Sequence, residues 1–509
     1  MKHLLIISFT LIAFLSNHYF LNDEVVVALQ VQSIESNFSL ATDKLIIYQA
    51  IPGFEFNGNV YAPFTYLLPI FAYPINKFLL FLNYFGYPDL ILALIAPAGF
   101  LFLSLEYRKL RIPAIAFFLL NLILFKPIYR FEDWSAVYSV KFLNIVFITI
   151  ATIILYKILR EKVDEKVATS GAFLFVFATP IAYWTISAKA HALSLLMVVL
   201  SAYCIDLYCK SNKARYVFLS SVIAGLSVSI RSIDGIAIFM SILIFILIYQ
   251  KSRVPYSIAG FSVGYIPCAI FGYAVFGIPL PVEIIGNLFS EQKFVRSSNI
   301  LDLIPMIPLI LFGINFKTLG MMNFSPILAI LILPTYRAIK SKRISLSSFE
   351  KFLLVFGFVF FVLYLPFISS GVIDTKVRDY RFYLPLYFPL IYIISTKIRP
   401  EIDFSVLITT IFCYSAVTSV LVSIFRDYIS YIIYVYFGVS CFLILVFILY
   451  EKFGKSKPEV IPLAILPVVF MISDQLNGYF GPYDVHFILP VLDRFSELLF
   501  WIRVILLLG

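Results

Sequence analysis

The sequence predicts an all-α protein that crosses a membrane many times, and three observations carry that expectation. Of its 509 residues, 61% are hydrophobic and 13% charged, against roughly 45–50% and 25% in an ordinary soluble domain. Apolar stretches recur from the N-terminus to Gly509, nearly all long enough to cross a hydrocarbon core of about 30 Å at a rise of about 1.5 Å per residue. Runs such as that from Ile145 to Tyr156 lack the polar–apolar alternation of a membrane-barrel strand. Backbone groups in lipid must bond within their own segment, so these runs are helices. Thirteen to fifteen spans are expected, in a single integral-membrane domain over residues 1–509.

The net charge of +10 is dispersed rather than patched. More than half of the 39 Lys and Arg residues fall at Lys2 and in short loops at 108–111, 157–166, 210–215, 251–253, 337–343, 397–399 and 452–457. The positive-inside rule turns these loops to the cytoplasm, and no nucleic-acid site is read from them.

That orientation fixes the order of elements. Met1 to Phe20 has a weak basic end and an apolar run, but no A-x-A-like cleavage site follows, so a retained first helix is expected over 4–21. It runs outward and delivers a first extracytoplasmic loop, 22–63, carrying Asp23, Glu24, Glu35, Asp43 and Glu55 against Lys44 alone. The apolar stretch 64–82 reads as partial or re-entrant, because a full crossing would put the basic loop at 106–111 outside. Crossings follow near 88–105, 112–126, 136–156, 168–185, 190–208, 216–230, 235–250 and 255–277. A second long extracytoplasmic stretch, 278–323, contains Pro279, Pro281, Pro305 and Pro308, which resist a continuous helix. Later crossings lie near 324–339, 351–369, 382–396, 404–424, 429–450 and 459–473, with a last apolar segment at 486–509.

The five cysteines lie in apolar segments without a CxxC pair, and the four histidines lack HxxxH or HExxH spacing. No metal site is expected from the protein alone. A divalent cation bridged by a carboxylate and a substrate phosphate stays possible.

The most informative polar feature is the adjacent pair Asp23 and Glu24 at the outer end of the first helix. A carboxylate beside a water-excluding cavity at the membrane surface is placed to accept a proton from a hydroxyl. The plainer reading is two solvated loop acids.

The order of a short first helix, an Asp-Glu pair, a long outer loop and the segment 61–74 (YAPFTYLLPIFAYP) resembles the glycosyltransferase C superfamily, among them protein O-mannosyltransferases and aminoarabinose transferases. Residues 177–203 are similar to its Gly-Thr-Pro segment, with Ala178 for the glycine; 323–334 and 378–395 resemble its Tyr-Ser-Pro and Arg-Tyr-Leu-Leu-Pro segments. Val27 stands where many relatives have tyrosine.

The resemblance implies inverting transfer of a hexosyl or pentosyl group from a polyprenyl-phosphate donor (dolichyl or undecaprenyl type) to a hydroxyl at the outer face. The acceptor would be protein, lipid or glycan, in the membrane of an archaeon or bacterium. Asp23 aligns with the motif's base, and Glu24 would orient the acceptor or tune that base. Arg378 and Arg381 are candidates for gripping the donor phosphate, or plain interfacial arginines. Lys189 and Arg231 are weaker candidates, the latter with Asp234 placed for an ion pair. Glu132 and Asp133 form a second acidic pair, a metal ligand or second catalytic carboxylate on one reading and an exposed turn on the other. Tyr61, Tyr66, Trp134 and Trp184 are candidate sugar or acceptor platforms. Two rival functions stand beside transfer: a transporter or flippase for a lipid-linked saccharide, and a non-catalytic membrane scaffold. Transport would place charges in the bilayer middle, where Lys141 is the exception to a pattern of charges at segment ends.

Overall fold

The computed structural model describes residues 4–16, 22–42, 53–62, 66–105, 111–128, 130–289, 306–312, 320–332, 335, 346–369, 382–402, 410–411, 413–415, 417–421, 439–449, 460–476, 487 and 489–508. In chain order the helices are α1 (Leu5–Ala13), α2 (Asn22–Asn37), α3 (Leu67–Phe85), α4 (Pro88–Ser104), α5 (Arg111–Ile123), α6 (Phe131–Arg160), α7 (Glu165–Phe177), α8 (Ile181–Thr185), α9 (His191–Ser211), α10 (Ala214–Val228), α11 (Ser232–Tyr249), α12 (Val254–Phe276), α13 (Val282–Phe289), α14 (Met306–Phe312), α15 (Met321–Phe324), α16 (Ser348–Ser369), α17 (Leu384–Ile393), α18 (Val439–Leu449), α19 (Ile461–Leu476) and α20 (Pro490–Leu508). A two-stranded hairpin, β1 (Phe54–Phe56) and β2 (Asn59–Tyr61), is the one sheet among the described residues.

Five described helices are long and apolar enough to cross a membrane, and six if the pair α3 and α4 is one span. Those two helices meet at 109° across a short break, the geometry of a broken span or a re-entrant loop, where the charge pattern predicts a partial segment over 64–82 and a separate crossing over 88–105. Shorter apolar helices include α5, α10 and α18. The expected crossings at 404–424 and 429–450 lie largely outside the described residues.

The chain forms two compact units. The first comprises Met1–Ala151, Trp184–Phe294 and Phe480–Ser496; the second comprises Thr152–Tyr183, Val295–Tyr479 and Glu497–Gly509. In the first unit, α10 and α12 lie so close that a Cβ at Gly264 would sit 2.0 Å from the Val222 carbonyl oxygen, and one at Gly225 2.4 Å from that of Phe261. Glycine there lets two membrane helices touch through their backbones, as small residues do where lipid offers no hydrophobic drive for association. Hydroxyl pairs Ser201–Ser220 (2.7 Å) and Ser221–Ser257 (2.9 Å) satisfy polar groups in the same layer.

Helix α6 carries Glu132 and Asp133 in its first turn and Lys157 and Arg160 in its last. That charge order complements the helix dipole at both ends. In the second unit, α7 begins at an Asp164 cap that accepts the Val167 N–H at 3.0 Å. The bond holds the Asp164 carboxyl below the usual carboxylate range. Gly171 of α7 faces Ser395, and Lys397 pairs with Glu350 at 2.6 Å.

Candidate functional site

The expected loop 22–63 is largely built structure. Its acidic pair opens a helix rather than a coil: α2 starts at Asn22 and runs for 16 residues. Acids in a first turn offset the helix dipole, and Val26, Val27, Ala28 and Val31 are buried, which gives the helix a face to pack. Val27, Ala28 and Val31 join Val137, Val140 and Leu143 of α6 and Ala188, Ala190, Leu193 and Ile230 in one apolar cluster. Farther on, the hairpin turns at Asn57 (φ 50°) and Gly58 (φ 77°), an Asn-Gly pair suited to a tight turn.

Glu24 points into this packing. It is 0% exposed, and its Oε2 accepts the backbone N–H of Ala188 at 3.0 Å. Lys141 of α6 is likewise 0% exposed; its Nζ donates to the Ser16 carbonyl at 2.9 Å and lies within Coulombic reach of Glu24. The segment between α8 and α9 that supplies Ala188 is pinned from α6: the Asn144 side-chain amide donates to the carbonyls of Ser187 (2.7 Å) and Lys189 (2.8 Å).

The same segment brings several expected site residues together. Lys189 Nζ lies 5.8 Å from the centre of the Trp184 ring, a cation–π contact. Trp184 meets the ring of His191 edge-on at 5.8 Å. Arg231 Nη1 stands 2.8 Å from His191 Nδ1 and 3.2 Å from Asp234 Oδ2. Because guanidinium only donates, Nδ1 is the acceptor, and the proton of a neutral His191 sits on Nε2. Asp234 also accepts the Ser194 hydroxyl. Glu283 of α13 accepts the Ser232 N–H at 2.9 Å and feels the Arg231 charge. Removal from water holds the Glu283 carboxyl above the usual range, opposed by the Ser232 hydrogen bonds and by Arg231. The ion pair between Arg231 and Asp234 follows the spacing in the sequence; His191, Asn144, Glu283 and the seating of Lys141 do not.

Other candidates lie apart from this layer. Glu132 and Asp133 are exposed at the start of α6, where Glu132 accepts from Asn83 Nδ2 at 3.3 Å. Trp134, next along, packs against the α2–α6 cluster. Tyr61 and Tyr66 belong to aromatic packing: Tyr61 meets Phe276 at 5.0 Å, and Tyr66 stacks on Phe271 at 3.8 Å. Burial raises the Tyr61 phenol above its ordinary range. The Asp23 backbone lies in the first turn of α2, but its side chain, like Arg378 and Arg381, lies outside the described residues.

Among the described residues, no three His, Cys, Asp or Glu side chains are grouped to hold a metal ion. Glu24 fits such a role poorly, since an amide already takes its Oε2 and an ammonium stands nearby.

Paired cations, carboxylates and aromatics thus form a buried layer within a helical fold that carries several candidate membrane spans. Residues 113–278, which hold Lys141, Lys189 and Arg231, match the family model described as dolichyl-phosphate-mannose-protein mannosyltransferase. The fold is similar to that of ArnT from Cupriavidus metallidurans, solved bound to undecaprenyl phosphate. That likeness has a TM-score of 0.51 at 10% identity and covers 97% of this chain and 76% of ArnT. The oligosaccharyltransferase of Archaeoglobus fulgidus is a more distant match, with a TM-score of 0.44 at 14% identity over 94% of this chain and 56% of its own. No curated protein sequence matches the chain. The chain is thus a multi-pass helical membrane protein with a fold similar to that of ArnT.

Proposed function

We propose that this chain is an integral-membrane glycosyltransferase that moves a sugar from a polyprenyl-phosphate donor to an acceptor hydroxyl at the outer face, inverting the anomeric centre. The observation that carries this reading is the convergence of acid-bearing α2 with Lys189, Trp184 and Arg231, inside and beside the segment that matches the mannosyltransferase family. That undecaprenyl phosphate occupies ArnT, a protein of the same fold, suits a polyprenyl-phosphate leaving group.

In this reading the acceptor oxygen attacks the anomeric carbon as its proton passes to the Asp23 carboxylate. The bond from that carbon to the phosphate oxygen breaks, and polyprenyl phosphate departs with the electron pair. A positioned base contributes roughly 10²–10⁴-fold; the rest comes from orientation and from cations at the developing phosphate charge. Lys189 and Arg231, with Arg378 and Arg381, are the groups assigned to that charge. Glu24 is a positioning group, because its Oε2 is committed to Ala188. Aromatic faces at Trp134, Trp184 and Tyr61 are the sugar and acceptor contacts assigned here; the Tyr66 face is taken by Phe271. A divalent cation joining a carboxylate to the donor phosphate belongs to the same reading and is tested by chelation.

The test incubates the purified chain with a panel of radiolabelled polyprenyl-phosphate sugars, with and without chelator, and analyses lipid and protein fractions. A labelled glycoside from the wild type and none from Asp23→Asn is the expected result. Undiminished turnover by Asp23→Asn removes the base, and counterflow of lipid-linked sugar in proteoliposomes without any glycoside would make the chain a transporter instead.

A further inference from the structure

Lys141 is the charge that the proposed reaction leaves without a task. It sits on the eleventh residue of α6, about 15 Å along the helix from its outer end. An ammonium at that depth is costly and persists only where a partner compensates it. Its surroundings are specific. The side chain is fully buried, and the ammonium donates to the carbonyl of Ser16, which follows α1. Glu24 is also fully buried and is fixed to the Ala188 amide. Val27 and Ala28 of α2, Val137 and Val140 of α6, and Ala188 belong to one apolar cluster, a collar shared by the two helices that carry these charges. The Glu24 charge acts on Lys141 between these helices.

We infer that Lys141 is a positioning residue for the transfer reaction: as the buried counter-charge of Glu24 it fastens the first turn of α2, and with it the neighbouring Asp23, to α6. The inference rests on the transferase reading for its catalytic part and on the fold alone for the charge pair. It changes the role expected for Glu24. A carboxylate opposed by an ammonium does not act mainly by like-charge repulsion on Asp23; it acts as an anchor.

A double-mutant cycle separates the two parts. Lys141→Met, Glu24→Gln, the double variant and Lys141→Arg are purified as full chains, and melting temperature and transfer kinetics are read for each. Removing one partner of a buried pair is far more disruptive than replacing both with neutral groups. Each neutral single variant should therefore lower the melting temperature, and the double variant should regain most of the loss. Below its melting range, Lys141→Met should lose at least about tenfold in kcat with donor KM changed less than about threefold, the mark of lost geometry rather than lost binding. Lys141→Arg should recover most of that rate, whereas the double variant, which keeps no charge pair to fasten α2, should stay slow. Additive melting shifts overturn the pair. Coupled melting shifts with wild-type kcat in Lys141→Met leave a purely structural pair and overturn the positioning role. If the wild type transfers no sugar from any donor, the transferase reading falls and the positioning role with it, while the melting cycle still decides the pair.

Discussion

Glu24 and Glu132, each from an acidic pair at a helix start, sit in opposite surroundings. Asp23 and Glu24 begin α2, and Glu132 and Asp133 begin α6, each in the first turn of a helix where negative charge is favoured. Glu24 is sealed among apolar side chains, accepts a backbone amide and faces a buried ammonium. Glu132 and Asp133 are exposed, and the Glu132 contact is a long hydrogen bond to an asparagine. The comparison teaches that an Asp-Glu or Glu-Asp pair at a helix start says little until its partners are known. The helix dipole accounts for both pairs, and only Glu24 is built into a charge layer.

The largest effect that sharpens this contrast is on stability. Glu24→Ala strands Lys141 in an apolar collar and should cost about 3–5 kcal/mol, the range for breaking a buried pair; chemical or thermal unfolding in detergent reads it. Arg231→Met removes the partner of buried Asp234 while leaving the Ser194 hydroxyl in place, so a loss of about 3 kcal/mol is expected. Gly58→Ala puts a Cβ on a residue at φ 77° with open space around it, and backbone strain alone should cost about 1 kcal/mol. At the small end, Glu132→Gln with Asp133→Asn should lose no more than about 1 kcal/mol, the worth of dipole contacts at a helix start. A loss there as large as that of Glu24→Ala would erase the contrast.

A pH series sharpens it differently. The Glu283 carboxyl is held above its usual range, chiefly by removal from water. Its favourable contribution is therefore complete below the unfolded value and fades as pH rises through the folded one. Glu283→Gln should raise the melting temperature relative to wild type more at pH 7 than at pH 4. An equal difference at both values would mean that the carboxyl titrates as it does in water.

Much of the scaffold was legible in the sequence. The crossings expected near 190–208, 216–230, 235–250 and 255–277 correspond to α9 through α12, because apolar length and basic loop ends are local signals. The ion pair of Arg231 with Asp234 was legible for the same reason, three residues apart on one turn. The Asn57-Gly58 dipeptide is a local turn signal for the hairpin, and α2 stands where a loop is expected, its start marked by the acids of its first turn. What lay beyond reach was which helix faces which. Glu24 and Ala188 are 164 positions apart, and periodicity says that a face is buried without saying against what. Lys141 left one usable trace, a lone charge far inside an apolar span.

The most direct test of the account compares transfer by Asp23→Asn and Asp133→Asn in purified protein with matched melting temperatures, using the donor that the wild type turns over. The account predicts loss of at least about 100-fold for Asp23→Asn and wild-type turnover for Asp133→Asn. The reverse order, or equal loss from both, would contradict it.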